Sequence, residues 1–204
     1  MKRIWSIIFL FLFSKAFAHP HEWLSVTLTP ILNNQNQIIA LEQHWEFDPL
    51  FAQVVLEPVL KAKTKEDAKA KMQGIEKDIT HNLSEAHFFT YSSTNFLPVK
   101  KAMLSVIEGA LTYQFQLLLK TPTDKIHFSL YEPSYYIEVR YDPDNQPTHW
   151  ANGCILEIKE SEPDSKVVEA AAAIDINGKG DPELGKYFAQ QSFLSCPSIY
   201  AVKK

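Results

Sequence analysis

The stretch His19-Pro20-His21-Glu22-Trp23 holds two imidazoles two residues apart. It follows Ala16-Phe17-Ala18 directly, a small-x-small cleavage site. Cleavage after Ala18 makes His19 the first residue, which offers a metal ion its α-amine and its imidazole together. His21 adds a third nitrogen. Imidazole combined with carboxylate suits zinc, nickel, cobalt or copper(II). Pro20 narrows the geometry. The square-planar N-terminal copper/nickel motif needs deprotonated amides at the second and third residues, and proline has no amide hydrogen to lose. A histidine brace built on His19 and another imidazole stays open.

The residues before this stretch read as a secretory signal. Lys2 and Arg3 precede an apolar run over residues 4–13, too short for the about twenty residues that span a bilayer. Residues 1–18 are therefore expected to be a signal peptide and residues 19–204 a single periplasmic domain. No later segment is apolar enough to cross a membrane, so the exported chain is expected to be soluble. The formal net charge is -4, and loss of Lys2, Arg3 and Lys15 makes the remainder more acidic. Nucleic-acid binding rests on cationic contacts to phosphate, so no nucleic-acid partner is expected. Cys154 and Cys196 are the two cysteines. In an oxidising compartment they read as a disulfide, closing a loop of about forty residues worth about 4 kcal/mol in the chain-entropy account.

Carboxylates must reach the histidines through the fold. Leu24, Val26 and Leu28 alternate with Trp23, Ser25 and Thr27, which describes a strand with one buried face. Asn33-Asn34-Gln35-Asn36 has turn composition. Ile39, Leu41, Trp45 and Phe47 then mark a second strand, with Glu42, His44 and Glu46 on its other face. Matching the apolar sets pairs Leu28 with Leu41 and Leu24 with Trp45, because opposed residues share a face. That register sets Trp23 against Glu46 and His21 against Asp48, with Cβ atoms about 5 Å apart. A slip of two residues satisfies the same pattern and sets Trp23 against Asp48. The candidate ligands are thus His19, His21, Asp48, Glu46 and His44. Asp48 has a competing role, since Asp48-Pro49 is a helix cap followed by a proline at the first helical position. His44 stands four strand residues, about 13 Å, from Asp48.

Further along, a helix is expected over residues 50–57, ended by Pro58. A longer one begins at Thr64 with Ala68, Met72, Ile75, Ile79 and Leu83 on one face. Alternation predicts strands at 102–106, 111–119, 126–130, 135–141 and 154–158. Two short helices are expected after Asp164 and after Asp181-Pro182. The fold expected is α+β, a strand-rich antiparallel sandwich-like domain with a helical excursion after the second strand.

Four motifs carry a resemblance: the signal followed by His19-Pro20-His21; Trp45-Glu46-Phe47-Asp48 leading into a helix; Tyr131-Glu132-Pro133-Ser134-Tyr135-Tyr136; and Gly185-Lys186-Tyr187-Phe188-Ala189 before the last cysteine. In their order and spacing the chain resembles the bacterial periplasmic proteins grouped as domain of unknown function one thousand and seven. These are labelled periplasmic components of ABC-type transport systems. The resemblance implies export and an association with nickel, cobalt or zinc permeases. The acidic calcium-type loop of many relatives is replaced here by Lys61-Ala62-Lys63-Thr64-Lys65, and that site is not carried over.

The expected function is therefore an exported accessory protein of a divalent transition-metal uptake system, with a metal ion and an inner-membrane metal permease as partners. A metal-independent adaptor docking on a permease and a histidine-brace copper oxidoreductase are the alternatives. No nucleophile elbow, phosphate loop, H-E-x-x-H or catalytic-cysteine signature is present, and no enzyme is expected.

Overall fold

The computed structural model describes residues 22–173 and 181–197. The expected signal peptide, His19 and His21 lie outside them.

The first hairpin forms as its alternation requires. Strands β1 (Glu22–Leu32) and β2 (Ile38–Phe47) are antiparallel. In the turn between them, the Asn33 carboxamide oxygen accepts from the backbone N–H groups of Gln35 and Gln37. Their register is the slipped one: Leu24 faces Phe47, Val26 faces Trp45 and Leu28 faces Gln43. The pairings of Leu24 with Trp45 and of Trp23 with Glu46 are overturned, since Trp45 faces Val26 and Glu46 faces Ser25. Gln43 occupies an inward position that the apolar pattern assigned to no polar residue. It is fully buried because its amide bridges the Trp45 indole N–H at 2.8 Å and the Thr90 hydroxyl at 2.9 Å.

Helix α1 (Pro49–Leu60) follows, capped by Asp48, whose carboxylate accepts from the N–H groups of Leu50 and Phe51. It runs through Pro58 rather than ending there. Helix α2 (Lys65–Glu85) starts at Thr64, whose hydroxyl accepts from Asp67 N–H. Its Thr80 hydroxyl meets the Tyr113 phenol at 2.8 Å, and its Glu76 carboxylate accepts from Leu104 N–H at 2.9 Å. The helical excursion is thereby fastened to the sheet edge.

The remaining strands are β3 (Thr90–Ser92), β4 (Ala102–Ile107), β5 (Ala110–Thr123), β6 (Lys125–Leu130), β7 (Ile137–Tyr141), β8 (Ile155–Lys159) and β9 (Gln190–Ser195). Helix α3 (Ser165–Ala172), capped by Asp164, lies between the last two. The turn at Glu108-Gly109 has positive φ at both residues, the hairpin geometry expected of its sequence. After Asp181-Pro182 there is a turn and a single 3-10 turn, Gly185–Tyr187, instead of a full helix.

Two sheets result, ordered β4-β5-β2-β1-β7 and β3-β6-β9-β8. Every pairing is antiparallel except β1 with β7, which is parallel. Their inner faces share one core, in which Trp45, Tyr113, Phe115 and Phe128 are fully buried. Buried polar groups stitch the sheets together. Tyr141 meets Ser192 hydroxyl to hydroxyl at 2.9 Å, and Gln190 accepts from Tyr141 N–H at 2.9 Å. Cys154 and Cys196 form the expected disulfide. The fold is α+β and strand-rich, as expected, and among the described residues no helix is long and apolar enough to cross a membrane.

Candidate metal centre

Three strands meet at Glu22, the first residue of β1. Glu22 pairs with Ile137 of β7, Trp23 with Glu138, and the end of β2 closes on the same point, where Asp48 N–H donates to Trp23 O at 3.1 Å. Asp48 is the cap of α1, and both cap bonds end on Oδ1. The second carboxylate oxygen takes no part in the cap.

Asp48 also acts on Glu22. Burial, and then the Asp48 charge, push the Glu22 carboxyl above its ordinary value of 4.5. An acid raised in this way favours folding while protonated. Its contribution is fully present below the ordinary value and is lost as pH rises through the shifted one. Glu22→Gln is therefore expected to unfold with less pH dependence than the wild type as pH rises above the ordinary Glu value of 4.5. Equal slopes in thermal unfolding would remove Glu22 from any coupled pair. Glu138 is different, because Arg140 neutralises it at 3.1 Å while also reaching Glu160 at 2.6 Å.

The other candidate ligands separate from this end. Glu46 is exposed on the outer face of the five-stranded sheet, between Ser25 and Thr112. His44 is half-buried on the same face, between Thr27 and Gln114. β2 is a regular strand through both, so His44 stays about 13 Å from Asp48 along the chain. The remaining described histidines do not join them. His81 lies 3.9 Å from Glu85 on α2, His87 meets the Tyr91 ring edge-on at 5.9 Å, His127 stacks on Phe193 at 4.4 Å, and the His149 ring meets the Thr148 hydroxyl at 3.1 Å. Among the described residues no group of three His, Cys, Asp or Glu could hold a metal ion. Among the described carboxylates, Glu22 and Asp48 are the two linked at this end, through the effect of the Asp48 charge on Glu22. Sequence reasoning passed over Glu22. The slipped register contained the signal, since it brings the end of β2 up to Trp23.

The strand that supports this corner is itself anchored by two of the motifs. Gly185 N–H donates to Pro133 O at 2.8 Å, and the Tyr135 ring stacks on Phe188 at 3.9 Å between centroids. A Cβ on Gly185 would fall 1.8 Å from Glu132 O, so only glycine permits the approach. The Glu132 carboxylate folds back to accept from Ser134 N–H, the Ser134 hydroxyl and Tyr136 N–H. This knot fixes where β7 begins, and β7 in turn fixes Glu22.

A family model described as protein of unknown function (DUF1007) matches residues 4–196. An uncharacterised protein of Haemophilus influenzae is similar to the chain, at 28% identity over 210 residues, covering 96% of this chain and 100% of the relative. No solved structure matches.

Proposed function

The chain belongs to the family described as protein of unknown function (DUF1007), and from that premise we propose that it is an exported accessory protein of a divalent transition-metal uptake system, binding zinc, nickel or cobalt at the start of its first strand. The ligands proposed are His19 and His21, with Asp48 and Glu22 as the carboxylates of the fold. One observation carries the reading: Asp48, bonded through its N–H to Trp23 O, lies close enough for its charge to raise the carboxyl of Glu22, the residue that follows His21 in sequence. The peptide unit keeps residue 21 within about 3.8 Å of Glu22, Cα to Cα. Asp48 can offer the oxygen that its cap does not use, so capping and ligation are compatible. Glu46, two residues back on β2, is a more distant donor, and His44 is left out on distance.

Titration of the purified protein with zinc, nickel and copper(II) tests this. His19→Ala/His21→Ala is expected to lose the tight site, Asp48→Asn to weaken it, and His44→Ala to leave it unchanged. Undiminished affinity in the double variant would contradict the proposal.

A second reading, a metal-independent adaptor that docks on a membrane permease, draws on α1. Leu50, Val54 and Leu60 are 73%, 72% and 75% exposed, and apolar surface of this kind marks interaction sites when it is contiguous. Under that reading the permease would be retained by the double histidine variant and lost by Leu50→Ser/Val54→Ser.

A further inference from the structure

β3 and β4 are the terminal strands of their sheets, and residues of both line one groove. The segment crossing between them joins β5 through Leu97 N–H to Leu118 O at 2.7 Å and Lys120 N–H to Asn95 O at 3.0 Å. Residues 98–101 then leave the ladder, and pairing resumes at Ala102 with Phe115. An open groove of about 1690 Å³ lies between this segment, α2 and β3.

One wall of the groove is an unusual piece of backbone. His87, Phe88 and Phe89 have φ of 52°, 50° and 50°, three successive left-handed residues, each costing about 1–2 kcal/mol. The core holds them there. Phe88 packs on Phe115 at 4.9 Å, Phe89 stacks on Trp45 at 5.8 Å, and the Thr90 hydroxyl donates to Phe88 O at 2.9 Å. The twist buries both phenylalanines and leaves His87 exposed beside Tyr91 on the groove wall.

We propose that this groove binds an extended acidic peptide segment of a partner protein. It exceeds the about 300–1,000 Å³ of an ordinary small-molecule site. Among the described residues β3 pairs on one side only, with β6, and its other edge supplies main-chain partners of the kind that strand addition uses. The charges are complementary to an acidic ligand. Lys77, Lys100 and Lys101 line the groove, and none of them is in an ion pair among the described residues. Its two carboxylates, Glu42 and Glu76, are held by the Gln116 amide and Leu104 N–H, each at 2.9 Å, and the three lysines outnumber them. Ser92, Thr94 and Gln114 interrupt the apolar lining of Phe88 and Phe96, which suits a polypeptide better than an acyl chain. The site is separate from Glu22 and Asp48 and stands independently of the metal reading.

The test is fluorescence anisotropy of two fluorescein-labelled octapeptides, one alternating Glu with Val and the other Lys with Val, against the purified protein. The Glu–Val peptide is expected to bind and the Lys–Val peptide not to. Lys77→Glu/Lys100→Glu/Lys101→Glu should weaken binding at least about tenfold. The control Lys63→Glu/Lys65→Glu/Lys69→Glu, on exposed positions outside the groove, should change it by less than about twofold. Absent binding, equal binding of both peptides, or equal losses in both triple variants would overturn the proposal. So would displacement of the peptide by phosphatidylglycerol vesicles that themselves bind the protein, because the groove would then recognise a lipid surface.

Discussion

Trp45→Ala is expected to lower the free energy of unfolding by about 4 kcal/mol, the middle of the range for large aromatic truncations. Trp45 is fully buried between the sheets. It stacks on Phe89 at 5.8 Å, meets Phe115 edge-on at 4.9 Å and lies 6.2 Å from Tyr113. It is also the first member of a buried polar chain. Its indole N–H donates to Gln43, Gln43 donates to Thr90, and Thr90 donates to Phe88 O. Truncation therefore opens a cavity and leaves the Gln43 oxygen without its donor in a dry site, a further cost of about 1–3 kcal/mol if no water enters. Trp45→Phe should recover packing but not the hydrogen bond, and fall between the wild type and the alanine variant. Denaturant unfolding measures all three. A loss below about 1 kcal/mol for Trp45→Ala would show that this ring is not the centre of the sandwich.

Cys154→Ala/Cys196→Ala is expected to cost a similar amount, about 4 kcal/mol in the chain-entropy account. The bridge spans a sequence separation of 42. It sits at one end of the β8–β9 pair, where Ile155 faces Ser195. Within the span lie α3 and the Gly185 contact to Pro133. Opening the bridge frees all of this in the unfolded chain and removes a fully buried cross-link from the folded one. For a chain of this size the loss corresponds to a fall of about 10 °C in melting temperature. Reduction of the wild type should reproduce it. An unchanged melting temperature after verified reduction would mean that the sheet ladder alone holds this end.

Both predictions concern parts of the fold that the sequence made legible to different degrees. Alternating apolar residues marked β5 well, because Leu111, Tyr113, Phe115, Leu117 and Leu119 all face the core. The same rule missed β9. Gln190 and Ser192 point inward there, and hydrogen bonds make that tolerable: both meet Tyr141, and the Gln190 amide also donates to Glu160 at 2.6 Å. β3 is three residues long, too short to show a period. The parallel pairing of β1 with β7 was equally hidden, since a period of two assigns faces and not neighbours. The register of the first hairpin shows the same gap in miniature. Both offsets bury Leu24, Val26 and Leu28, and the structure takes the one that places Gln43 opposite Leu28.

At the candidate site, the cap role of Asp48 was legible from Asp48-Pro49, and the structure bears it out. The partnership of Asp48 with Glu22 was not, because it depends on the register and on where β7 begins. That starting point is set by Gly185 and Glu132, far away in sequence. The separation of His44 from Asp48 follows from strand rise alone.

The central claim is that metal is held by an N-terminal histidine pair beside Asp48 and Glu22. The most direct measurement is the N-terminal residue of the exported protein, determined together with its bound-metal content after expression in metal-replete medium. A chain that begins at His19 and carries zinc, nickel or cobalt, lost on His19→Ala/His21→Ala, is the predicted result. A chain that begins elsewhere, or one that begins at His19 and carries no metal, would contradict it.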